Sequence, residues 1–307
     1  MHRLFTASVF LALGCTSAIE PASAPNNSVA APAAAPEPLF TQGNASCDKR
    51  MGPALAKETT LSGKLALYER GCDLGCAPAC DGAGTLLRTA PSELRNDERA
   101  AARFERACAA ACARGCVHLG ELHEHAPASE HVDAAKIAYR RACDLGDGDG
   151  CSALGALIET RESDPVAAVA EYSRGCELDS GRACAALAAH YELAEGVALD
   201  AERAYALYEH ACERHAASGC RGAAQMLARM SDSAGSRNFE QKAAALDAED
   251  CNDGEAASCA LLADAYRDGR GVEKDVKRAA RFYAVGCEQG VESACEGLKR
   301  LPGDGGH

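Results

Sequence analysis

The chain has 307 residues, with 45 acidic against 32 basic side chains, a formal net charge of −13, 47% hydrophobic residues, 5% aromatic residues and no Trp. It is long enough for a sizeable core, and its composition is neither collagenous nor that of a disordered acidic tail. The negative charge argues against nucleic acid as a partner, because such affinity comes largely from Lys and Arg displacing counterions from phosphates.

The first residues read as an export signal. A short basic stub, His2 and Arg3, precedes an apolar run from Leu4 to Leu13, too short to span a bilayer as a helix. The phrase Leu11-Ala12-Leu13-Gly14-Cys15 resembles a bacterial lipobox. That resemblance implies a signal peptide over 1–14 and lipidation of Cys15 as the first mature residue. Thr16 after the lipid-bearing Cys favours the outer membrane under the same sorting rules. Residues 15–44 are rich in Ala, Pro, Ser and Asn and nearly free of charge. They cannot bury enough apolar area to fold, so a disordered tether is expected there. The folded body is expected over 45–303, with a short tail at 304–307.

The 18 cysteines organise the rest. Seven pairs, each with seven residues between its members, are Cys72 and Cys80, Cys108 and Cys116, Cys143 and Cys151, Cys176 and Cys184, Cys212 and Cys220, Cys251 and Cys259, and Cys287 and Cys295. The pairs recur every 33 to 39 residues, a period of two-helix repeats. Upstream of the first Cys lies an Ala-rich segment with an aromatic four positions before it (Tyr68, Phe104, Tyr139, Tyr172, Tyr208, Tyr283) and a Gly or Ala immediately before it. That grouping is one face of a helix. After the second Cys, apolar residues at +3, +4, +6 and +7, as in Leu154, Gly155, Leu157 and Ile158, predict a second helix. Turn formers between the cysteines predict a tight reversal, stapled by a disulfide. The spacing does not suit zinc knuckles.

The phrase from Leu262 to Tyr283, LADAYRDGRGVEKDVKRAARFY, resembles a Sel-one-like repeat, a unit related to the tetratricopeptide repeat, and His190 to Tyr208 is a second close copy. With the paired cysteines, the sequence is similar to the Helicobacter cysteine-rich proteins over about residues 60 to 300. The resemblance implies an all-α fold, a right-handed α/α solenoid of about seven two-helix repeats with one disulfide per pair. Departures from the pattern fall at Asp247 and Asp250, at 231–238, where a longer loop or hinge is expected, and at 161–164, where the Gly-Val phrase is missing. Cys47, Cys76 and Cys112 stand outside the pairs. Cys76 with Cys112, or Cys47 with Cys76, are both open, and either leaves one thiol over.

No nucleophile elbow, Walker loop, GxGxxG or HExxH phrase is present. Ser46 to Lys49 forms a lone Ser-x-x-Lys without its partner motifs and receives no role. Four histidines cluster at 118, 123, 125 and 131. His123 holds the +7 core position that Leu87, Tyr191 and Tyr266 hold elsewhere, whereas His118, Glu121 and His125 share one helical face, read as open to solvent, and are the only candidates for a divalent metal. No cofactor is expected. Two functions compete: a cell-envelope scaffold for protein or peptide partners, touching the membrane through its lipid alone, and a β-lactam-binding or β-lactamase-like hydrolase, which the resemblance to the cysteine-rich proteins implies. The first is preferred, because repeat arrays work as interaction surfaces.

Overall fold

The computed structural model describes residues 44–125 and 130–301, with side chains over 51–125 and 131–301. The signal segment, Cys15, nearly all of the tether, the 304–307 tail and the Cys47 side chain lie outside this description. The described residues form fifteen helices and no strand. After α1 (Asn44–Lys57) come seven helical hairpins: α2 (Leu61–Asp73) with α3 (Ala77–Thr89), α4 (Asp97–Ala109) with α5 (Ala113–Glu124), α6 (Glu130–Asp144) with α7 (Gly148–Glu162), α8 (Pro165–Glu177) with α9 (Gly181–Leu193), α10 (Ala201–Glu213) with α11 (Ala217–Arg229), α12 (Ser233–Asn252) with α13 (Ala256–Asp268), and α14 (Val276–Glu288) with α15 (Glu292–Arg300). Packing divides the chain between Arg161 and Glu162 into two units, one holding α1–α7 and the other α8–α15.

All seven hairpins close through one turn. Three residues after the first Cys the backbone is left-handed, at Gly75, Ala111, Gly146, Asp179, His215, Gly254 and Gly290. The N–H of that residue donates to the carbonyl of the first Cys, and the next N–H donates to the carbonyl just before that Cys. In the first hairpin these are Gly75 to Cys72 and Cys76 to Gly71, both 3.0 Å. This is a Schellman termination, and the second of its donors already serves as N-cap of the returning helix. The reversal brings the paired Cα atoms to 4.5–4.7 Å, and all seven predicted disulfides form. Each closes a short loop, worth about 2.5 kcal/mol at most in the chain-entropy model. Cys76 and Cys112 are the N-cap residues of α3 and α5, buried and themselves disulfide-bonded. At the same position Ser180 caps Ala183 N at 3.2 Å, and Asp147 accepts from Gly150 N at 3.1 Å.

Packing inside a hairpin follows from small residues. The residue before each first Cys faces the residue before its partner, and in six hairpins one is Ala and the other Gly. A Cβ on Gly71 would lie 2.8 Å from that of Ala79, and one on Gly150 would lie 2.5 Å from that of Ala142. The aromatics then fill the space around this contact. Tyr68, Phe104, Tyr139, Tyr172, Tyr208 and Tyr283 are all buried. Glycines receive their rings, either in the same hairpin (Gly82 for Tyr68, Gly222 for Tyr208, Gly297 for Tyr283) or in the preceding one (Gly84 for Phe104, Gly120 for Tyr139).

The sixth hairpin breaks both rules, and here one expectation is corrected. Residues 231–238 do not form a long loop or hinge. Ser231 alone is left-handed, Asp232 accepts from Gly235 N at 2.9 Å, and α12 begins at Ser233. A strong N-cap thus starts a helix where the weakened repeat pattern, with Asp247 and Asp250 out of place, suggests a loop. At the aromatic position stands Asp247, its side chain only 4% exposed, held by Arg221 Nη1 at 2.9 and 2.7 Å. Burial pushes its carboxyl up and the guanidinium partly offsets this. Removing the cation leaves a buried, unpaired charge, so Arg221→Ala should cost about 3 kcal/mol, and Asp247→Leu clearly less. Equal losses in urea unfolding would count against this account.

Glycine variants separate backbone from packing effects. A Cβ at Gly146 meets nothing within 4 Å, so Gly146→Ala should cost only the left-handed penalty, about 1 kcal/mol. At Gly120 it would run into the Tyr139 ring, and Gly120→Ala should cost about 2 kcal/mol or more. Thermal unfolding of the two variants checks the order.

Candidate functional site

The structure does not present His118, Glu121 and His125 as one open metal face. His118 Nδ1 donates to Asp81 Oδ1 of the preceding hairpin at 2.6 Å, with its ring 5.2 Å from that of Phe104. The Glu121 carboxylate is paired with Arg88 at 2.8 Å, again across hairpins. His125 is the C-cap of α5, and its Nδ1 donates to the Glu121 carbonyl at 2.7 Å. The face read as open to solvent is a seam between repeats. His123 lies instead against His131, with their Nδ1 atoms 3.2 Å apart and their rings stacked.

The same seam carries the buried tyrosines. Tyr139 donates its hydroxyl to Glu124 at 2.8 Å, Tyr208 to Glu192 at 2.8 Å, and Tyr283 to Asp264. Burial first, and then the carboxylate partner, raises all three phenols above their ordinary range, so they keep the proton they donate, and the Tyr283 oxygen also accepts from Arg267 Nη1 at 2.7 Å. Arg229 completes the Glu192 pair, and Arg267 completes the Asp264 pair at 2.6 Å. On the opposite side, arginines reach back to the preceding hairpin. Arg106 Nη2 donates to the Cys72 carbonyl at 3.0 Å and Arg141 Nη2 to that of Ala109 at 3.2 Å, satisfying carbonyls at helix ends.

The groups best placed to meet a partner are two cation–aromatic platforms. Arg203 lies over the Tyr191 ring at 4.5 Å and Arg278 over the Tyr266 ring at 5.5 Å. They are copies of one arrangement: Tyr at +7 after the second Cys, a Gly-containing loop, an Asp N-cap (Asp200, Asp275) donating its own N–H to the Tyr carbonyl, and Arg three residues on. The second is larger. Phe282 stacks on Tyr266 at 5.7 Å, and Tyr266, Val272, Glu273, Lys274, Asp275 and Arg278 line an open depression of about 390 Å³. The Sel-one-like phrase contains both platforms. Sequence reasoning used their residues as repeat markers and overlooked the Tyr–Arg spacing, which is visible in both copies.

Among the described residues one set of His, Cys and acidic side chains brings three ligand atoms within 4.8 Å of one another: Cys176, Cys184 and His210. The two sulfurs are joined to each other, so no thiolate is available there.

Burial, and then the proximity of His131, depress the His123 imidazole, while Glu105 works in the opposite direction. A depressed folded-state value means that the unfolded chain takes up the proton first, so this contact weakens the fold as pH falls through about 6.5. His123→Leu, which places at +7 the residue type of Leu87, should flatten the pH dependence of the melting temperature between pH 7 and 5. An unchanged slope would assign that dependence elsewhere.

No protein-family model matches the chain, and no curated relative matches it. Solved structures do. A Sel1 repeat protein from Oxalobacter formigenes aligns at TM-score 0.56 and 19% identity, covering 78% of this chain and 99% of that one. The protective antigen c5321 of uropathogenic Escherichia coli, described as displaying an SLR fold, aligns at TM-score 0.51 and 19% identity over 83% of this chain, which spans 56% of the antigen. Helicobacter pylori cysteine rich protein B aligns at TM-score 0.23 and 22% identity, covering 55% of this chain and 97% of that one. Structural likeness and the repeat phrases together assign this chain the Sel1-repeat fold, with a disulfide in every hairpin turn.

Proposed function

We propose that the chain is an exported repeat scaffold that binds protein or peptide partners. The observation that carries this reading is the pair of Tyr–Arg platforms, with the mixed-charge depression beside Tyr266. An aromatic face with a guanidinium above it and carboxylates at its rim suits a peptide segment, offering stacking, hydrogen bonding and ion pairing at little ordering cost. Seven disulfides fit an oxidising compartment. Cleavage of 1–14, lipidation of Cys15 and the 15–44 segment as a tether would hold the body at the cell envelope, with the outer membrane favoured by Thr16.

A double variant, Arg203→Glu with Arg278→Glu, tests the platforms. Both arginines are exposed, so circular dichroism should not change, while partners retained from envelope extract under non-reducing conditions should fall several-fold. Undiminished retention by a folded variant would remove the platforms from the interface. For the anchor, Cys15→Ala should abolish palmitate labelling and release the protein from membrane fractions. A scaffold should also leave a chromogenic β-lactam unhydrolysed; saturable turnover by pure protein would favour the hydrolase reading.

A further inference from the structure

The seven disulfides share one turn but differ at their sulfurs. Cys176, Cys251 and Cys287 are partly accessible, whereas the first cysteines of the other four hairpins are buried. In those three hairpins the second sulfur has the same neighbour, the carbonyl of the first Cys at 3.7 Å. Only one of the three adds a proton donor: His210 Nδ1 stands 3.5 Å from Cys184 Sγ, which is fully buried. Across the ring, His210 Nε2 faces Asp179 Oδ1 at 3.9 Å, and Arg214 holds that carboxylate at 2.5 Å. His210 occupies the position, two before the first Cys of its hairpin, at which Arg106 and Arg141 serve carbonyls of the preceding hairpin. Arg103 Nη1 approaches Cys72 Sγ at 3.7 Å, but both sulfurs of that disulfide are buried.

We propose that Cys176–Cys184 is an exchange-active disulfide whose substrate is a thiolate. The accessible Cys176 Sγ takes the attack, and the S–S bond breaks. Cys184 Sγ leaves with the electron pair, accepting the Nδ1 proton of His210 or a hydrogen bond from it, while Asp179 positions the ring. The product is a mixed disulfide between the incoming thiol and Cys176. A second thiol then completes a two-electron reduction, in which two thiols become one disulfide and the protein gains a Cys176 and Cys184 dithiol. Run in reverse, the same steps reoxidise the dithiol. A leaving sulfur whose thiolate is stabilised departs faster, and this is the advantage that His210 confers.

The test uses the intact oxidised protein with two probes, glutathione and an unstructured Cys-containing peptide, followed by acid quenching, alkylation and peptide mapping. Cys176 and Cys184 should be trapped about tenfold faster than Cys251 with Cys259 or Cys287 with Cys295, which serve as accessible controls within the same molecule. Faster trapping by glutathione than by the peptide would identify a small thiol as the source, and the reverse a protein thiol. His210→Gln should erase the advantage and leave the control rates unchanged. His210→Arg should restore part of it, because a guanidinium also stabilises the thiolate. Asp179→Asn, a second variant outside the sulfur contact, should reduce it. Equal trapping of the three accessible disulfides in the native protein would overturn the proposal, as would an unchanged ratio in folded His210→Gln.

Discussion

One left-handed residue per hairpin sets the geometry of all seven turns. It lets the first helix terminate, turns its last carbonyls toward two N–H donors, and delivers the second donor as the N-cap of the returning helix. With the turn fixed, the paired cysteines have no choice of partner, since their Cα atoms are already at disulfide distance. Four hairpins use Gly at this residue and three use Ala, Asp or His. The latter accept a backbone cost of about 1 kcal/mol in exchange for a side chain at the turn. In the fourth hairpin that side chain is Asp179, which faces His210 and Arg214.

Close approach of the helices explains why the staples are needed. An Ala against a Gly brings backbones together but removes only about one methyl group from water, worth less than about 1 kcal/mol. The aromatic beside it supplies most of the apolar burial of a hairpin. A turn disulfide adds stability of comparable size without adding surface, by restricting the unfolded chain. It also acts within one repeat, so each hairpin carries its own support whatever its neighbours contribute.

Much of this was legible because covalent spacing repeats more faithfully than hydropathy. The cysteine pairs, the aromatic four residues upstream and the small residue before each first Cys predicted the hairpins, their period and their disulfides. Two things were not legible, for definite physical reasons. At 231–238 the irregular repeat, with Asp247 and Asp250 in place of the aromatic and the small residue, pointed to a loop, yet a single Asp N-cap started a helix. The polar face of His118, Glu121 and His125 looked free because one helix cannot reveal its neighbour: Asp81 and Arg88, 37 and 33 residues away in sequence, claim two of the three. Charged residues at helical spacing in a repeat protein should therefore be read first as candidates for pairing one period away, and only then as ligands.

The rule applies equally to what remains unpaired. Across the seams, Glu121, Asp247 and Asp81 each have a partner in another hairpin, and the buried phenols are held by carboxylates. Such groups fix the register of the repeats and leave little capacity for a ligand. The Tyr–Arg platforms differ in exposure: Arg278 of the seventh hairpin bonds Tyr266 of the sixth and its own N-cap Asp275 through contacts open to solvent. A partner can therefore approach those contacts from solvent, whereas one competing for Asp247, whose side chain is 4% exposed, would have to separate hairpins. That difference in access is the ground on which recognition is proposed at the loop edge and not along the seam.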